Sequence, residues 1–179
     1  TNITTLHDTP SRDSDVVSFE LSGQPLMAIS AGPLFKFNPS VSFHIKCATK
    51  NEVDAIWKKL VEGGNVLMEL DKYPFSERYG WLQDKYGLSW QVILANESQI
   101  NQRIVPSLLF VGDVCGKAEE AINFYVSVFA KENKPSEANI LARYEKGEEP
   151  EKEGTVNYAE FKLLGQEFGA MDSARNHGF

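Results

Sequence analysis

The chain writes one short pattern twice. Phe19-Glu20-Leu21-Ser22-Gly23-Gln24 returns 142 residues later as Phe161-Lys162-Leu163-Leu164-Gly165-Gln166. At the same offset Ala28 meets Ala170, Ile29 meets Met171 and Phe37 meets Phe179. A long-period repeat constrains a fold more than any local propensity, because each copy must be one structural unit. Each copy places apolar residues at alternate positions, turns at Gly-Gln, and continues into a second apolar run. That pattern is a β-hairpin.

The flanks differ. Ahead of the second copy the sequence supports a strand at 105–111, a helix at 118–129 with Ala118, Ala121, Ile122, Tyr125 and Phe129 on one face, and a strand near 138–144. Ahead of the first copy only a strand at 2–6 remains. If the copies are equivalent, the chain begins inside one module and stops inside another, and the first residue is not Met.

Between the copies the order is repeated once more. Residues 41–47 alternate as a strand, and Thr49 with Glu52 three residues on is a capping box opening a helix. Val53, Ile56, Trp57 and Leu60 recur at helical spacing until Gly63-Gly64. Extended stretches follow at 65–71, 79–84 and 89–94, the last two joined by the turn Asp84-Lys85-Tyr86-Gly87. Residues 95–103 are polar, without periodicity, and read as a linker. The charge run at 145–153 reads as a solvated, mobile loop.

Composition narrows the function classes. The chain has 179 residues, 42% of them hydrophobic, enough to bury a sizeable core. Its net charge of −7 opposes a nucleic-acid surface, which needs a basic stripe. No apolar run approaches the roughly 20 residues that cross a bilayer, and no signal peptide opens the chain, so a cytoplasmic location is expected. The two cysteines, Cys47 and Cys115, have no metal-like spacing and read as free thiols.

Two consecutive βαβββ units, with a third cut short, resemble the vicinal oxygen chelate superfamily. Ile104-Val105-Pro106-Ser107-Leu108-Leu109-Phe110, followed by Ala118-Glu119-Glu120-Ala121-Ile122-Asn123-Phe124-Tyr125 and Phe129, is similar to the opening of its PhnB-like or demethylubiquinone methyltransferase-like branch. Gly80-Trp81-Leu82-Gln83-Asp84-Lys85-Tyr86-Gly87-Leu88-Ser89-Trp90-Gln91 resembles the closing motif of that branch. The resemblance implies an α+β fold of paired βαβββ units that form cup-shaped, glyoxalase-like half-barrels. The expected domains are a first module at 1–95 lacking its opening strand and helix, a linker at 96–104, and the first half of a second module at 105–179.

In members of that superfamily that catalyse, the resemblance implies a divalent metal held by His early in the first strand and Glu late in the fourth strand of each unit. Such a ligand set leaves positions open for two neighbouring substrate oxygens. In this chain Ser40 and Pro106 fall where His would, and Gln91 where Glu would. Proline offers no side-chain ligand and an amide is a poor one for transition metals, so neither a metal nor another cofactor is expected.

Candidates for the cup are His44, Gln91, Ser40, Glu20, Trp81, Phe35 and Phe37. His44 shares a strand face with Ser40 and Ser42 and, as a neutral imidazole, has the chemistry of a general base. Trp81 either lines a pocket or joins the core. Glu20 points either into the cup or to solvent, and its repeat partner is Lys162. Phe35 and Phe37, after the break at Ala31-Gly32-Pro33, either cover a cavity or plug the end of a sheet. Trp90 alternates with Gln91 and is expected in the core.

Two functions are compatible with these residues: a glyoxalase-like protein that binds a small molecule, and a vicinal oxygen chelate enzyme. The binding protein is favoured, because the ligand set is missing. The methyltransferase of the branch name is a third, although no Gly-rich strand-to-helix loop stands ready for S-adenosylmethionine. Exposed sheet edges lead us to expect a homodimer.

Overall fold

The computed structural model describes residues 2–10, 12–30, 32–130 and 136–177. Phe179 of the repeat lies outside the described residues, as does Ala31 of the expected break. The chain divides into two compact units, Thr1–Phe37 and Asn38–Phe179. That division falls at 37, whereas 96–104 lies inside the second unit.

The first unit is an antiparallel meander of β1 (Asn2–Thr9), β2 (Arg12–Leu21) and β3 (Gln24–Ile29), in that order. The β2–β3 turn needs two left-handed residues, and Ser22 and Gly23 supply them with φ of 51° and 80°. A single 3-10 turn follows at Gly32–Leu34.

The second unit contains β4 (Val41–Cys47), α1 (Lys50–Leu60), β5 (Asn65–Tyr73), β6 (Ser76–Gln83) and β7 (Ser89–Leu94). The same βαβββ order then recurs as β8 (Ile104–Phe110), α2 (Ala118–Phe129), β9 (Glu137–Arg143), β10 (Val156–Leu163) and β11 (Gln166–Asp172). The strands form one eight-stranded sheet ordered β5-β6-β7-β4-β8-β11-β10-β9. Each module's first strand runs parallel to its last, and the two first strands, β4 and β8, pair antiparallel at the centre. The segment read as a linker contains a 3-10 turn at Glu97–Gln99.

The repeat survives as geometry. Phe19 pairs with Leu26 and Leu21 with Gln24, while Phe161 pairs with Phe168 and Leu163 with Gln166. The second hairpin uses the same turn, with Leu164 and Gly165 at φ of 53° and 84°.

One face of the large sheet carries the helices. Val53 of α1 is fully buried, as are Leu82 and Val92. Gly80 is required for the approach of α1, since a Cβ there would sit 2.4 Å from the Trp57 ring. Beneath α2, Ala118 and Ile122 pack on Val156, Ala159, Phe161 and Ala170. Trp90 is buried on this side against Phe43, as its alternation with Gln91 requires.

The two helices begin differently. Thr49 caps α1, its side chain accepting from the Glu52 amide, while Glu52 accepts from the Ala48 amide. No local side chain caps α2. Asp172, at the end of β11, does so instead: Oδ1 accepts from the amides of Gly116 and Ala118, and Oδ2 from that of Val156.

The charge run at 145–153 is not wholly solvated. Glu151 is buried, accepting from the Ser173 hydroxyl, the Ala174 amide and the Arg175 guanidinium. Among the described residues no helix is long and apolar enough to cross a membrane.

Candidate functional site

Strand alternation sends every second residue of the sheet to the face away from the helices. On β4 these are Ser42, His44 and Lys46; on β7, Ser89 and Gln91; on β6, Tyr79 and Trp81; on β8, Val105 and Ser107. His44 lies opposite Gln91 on one side and Val105 on the other. The second module adds Tyr158 and Glu160 from β10 and Glu167 and Gly169 from β11.

This face is concave. His44 and Tyr158 lie three strands apart, about 14 Å in a flat sheet. Their rings are nonetheless parallel, with centroids 6.0 Å apart. Lys46 spans the same gap, its Nζ 3.1 Å from Glu160 Oε1 and 3.3 Å from Glu167 Oε2. A cavity of about 110 Å³ opens beside the Lys46 ammonium, lined by Lys46, Glu160, Glu167 and Asn139 among others, with neither His44 nor Tyr158 in its wall.

The floor is polar and dry. Ser42, His44, Ser89, Gln91 and Ser107 are each no more than 5% exposed. The Tyr79 hydroxyl donates to Gln91 Oε1 at 2.6 Å, and Gln91 Nε2 donates to Ser42 Oγ at 2.6 Å. Trp81 Nε1 donates to Ser89 Oγ at 2.8 Å. Two buried atoms in this row have no hydrogen-bond partner, His44 Nε2 and Ser107 Oγ. Burial first, then the positive charge of Lys46, lowers the His44 pKa to about 4, against an opposing pull from Gln91. The imidazole is therefore neutral at pH 7. Burial also raises the Tyr79 and Tyr158 pKa values, so both phenols stay protonated.

The sequence candidates separate into two groups. His44, Gln91 and Trp81 share the concave face, with the Trp81 ring 6.4 Å from that of His177. Ser40 lies in the turn before β4, where its amide donates to Asn38 Oδ1. Glu20, Phe35 and Phe37 belong to the first compact unit, all three exposed, with Phe35 and Phe37 beyond its last strand. Sequence reading named Ser42 only as a neighbour of His44 and missed Tyr79, Ser107, Tyr158 and the Lys46–Glu160–Glu167 cluster. Polar residues at alternate positions of 42–46 were a signal, though the same alternation marks a solvated strand face.

A divalent metal does not fit the donors present. Of the positions expected to hold one, Gln91 has both ends of its amide engaged, Ser40 lies before β4, and Pro106 pairs with Phe43 on the helix side of the sheet. Among the described residues no three His, Cys, Asp or Glu side chains come together as a metal site.

A family model described as 3-demethylubiquinone-9 3-methyltransferase matches residues 2–93 and 102–179. A PhnB protein of Bacillus cereus, described as belonging to the same methyltransferases, is 38% identical, covering 53% of this chain and 78% of its own, with a TM-score of 0.47. A glyoxalase/bleomycin resistance protein/dioxygenase superfamily member from Vibrio splendidus is 14% identical over 74% of this chain and 97% of its own, with a TM-score of 0.39. A glyoxalase I variant of Zea mays is 12% identical over 94% of this chain and 59% of its own, with a TM-score of 0.50. No curated protein matches.

Proposed function

The chain belongs to the 3-demethylubiquinone-9 3-methyltransferase family, and from that premise we propose that it is a glyoxalase-like protein that holds a small molecule on the concave face of its eight-stranded sheet, without a metal. One observation carries the reading. A sheet face turned away from its helices is ordinarily wet and polar, or dry and apolar; this one is dry and polar, with a buried neutral imidazole whose Nε2 is unsatisfied. Leaving such an atom without a partner costs about 1–3 kcal/mol, which a bound ligand would recover.

Methyl transfer, the activity in the family name, lacks a comparable support. The glycine-flanked turn before α2 would be the place for an anionic cofactor group, and the Asp172 carboxylate already fills it. The proposal extends to a cytoplasmic homodimer, which light scattering tests: a monomer of 20.0 kDa would sink that part.

The test of the site is native mass spectrometry of the purified protein with elemental analysis. We expect a metal-free chain carrying a small-molecule adduct that His44→Leu loses. Stoichiometric zinc, nickel, manganese or iron would overturn the metal-free reading.

A further inference from the structure

We propose that His44 Nε2 and Ser107 Oγ together form a subsite for one neutral hydroxyl group of the ligand, with Gly169 letting Ser107 hold its place. The inference rests on the small-molecule reading above and names the group that the site recognises.

Three observations converge. His44 and Ser107 sit on the two strands that join the modules, at neighbouring positions of one face: Ser42 pairs with Ser107 and His44 with Val105. They hold the row's two unpartnered buried atoms, in residues 5% and 2% exposed. Gly169 pairs with Ser107 on the other side of β8, and a Cβ there would sit 3.0 Å from Ser107 Oγ and 3.6 Å from the Tyr158 ring. The backbone does not demand this glycine, because Gly169 is absent from the positive-φ residues. The bare Cα is thus explained by the close approach of Ser107 and Tyr158, and a Cβ there would press on Ser107 Oγ and turn it from its place.

The chemistry selects a hydroxyl. A neutral imidazole nitrogen either donates or accepts, according to tautomer, and a serine hydroxyl does both. A ligand O–H also does both, so it satisfies the pair in either tautomer. A carboxylate or phosphate accepts only, and would bring a charge into a desolvated site. The nearest cation, Lys46, is already matched by Glu160 and Glu167. The ring of Tyr158, stacked on His44, makes a flat hydroxylated molecule the best-shaped occupant.

The experiment follows the His44 ring nitrogens by NMR in the full chain while phenol, toluene or benzoate is added. We expect phenol to shift Nε2 saturably, with toluene and benzoate at least tenfold weaker. Ser107→Ala and Gly169→Ala, each checked for an unchanged fold by its backbone spectrum, should weaken phenol about tenfold. If Gly169→Ala fails to fold, Ser107→Ala decides alone. Equal shifts from phenol and toluene would overturn the hydroxyl subsite while leaving small-molecule binding intact. Stronger binding of benzoate would replace the neutral class by an anion. Silence of His44 towards all three probes would overturn the subsite, and the reading beneath it falls separately if no adduct is found by mass spectrometry.

Discussion

The first helix of the large unit is capped from next door, the second from across the sheet. Thr49 and Glu52 complete the start of α1 within five residues of chain. At the equivalent place in the second module the amides of Gly116 and Ala118 turn to Asp172, more than fifty residues on. Two copies of one architecture thus meet the same demand, unsatisfied amides at a helix start, by opposite routes. The local route leaves a trace in sequence and makes α1 self-sufficient. The distant route ties α2, β10 and β11 into one cooperative block.

The sharpest way to break this contrast is Asp172→Ala. It strands three amides around a carboxylate that is only 1% exposed, and should cost about 3–5 kcal/mol, read as a fall in the denaturant midpoint. A cost no greater than that of an exposed cap would mean that the block is not cooperative.

The two halves of the concave face differ in the same spirit. The first module contributes a neutral hydrogen-bonded row and the second a pair of carboxylates, with Lys46 reaching between them. His44 makes this contrast measurable through pH. Its pKa is 6.5 unfolded and about 4 folded, so between those values the unfolded chain binds the extra proton. Its contribution is therefore complete above pH 6.5 and declines towards pH 4, by about 3 kcal/mol at most. His44→Leu should flatten that part of the stability profile; an unchanged slope would show that carboxylates, not His44, govern it. The smallest effect belongs to α1: Thr49→Ala should cost about 1 kcal/mol with the denaturant m-value unchanged.

Legibility followed the same divide between near and far. The helix at 118–129, the twin hairpins and the Thr49 cap were readable because each is written in a few consecutive residues. Glu151 was hidden in a run of charges, since its partners Ser173, Ala174 and Arg175 lie beyond two strands. His44 and Gln91 could be placed on one face by alternation alone. Ser107 and Gly169 could not, because their importance arises from pairing across β4, β8 and β11. Tyr158 was equally silent, since its ring meets His44 from three strands away.

The central pairing of β4 with β8 also sets an order of events as the chain folds. Each hairpin and each helix forms from neighbours in sequence, but this seam must close a loop of about sixty residues before any contact rewards it. His44 is therefore synthesised well before Ser107 arrives on the neighbouring strand. The recognition surface does not mature gradually; it comes into being when the seam zips, and a molecule bound there would act as a clasp that slows its reopening.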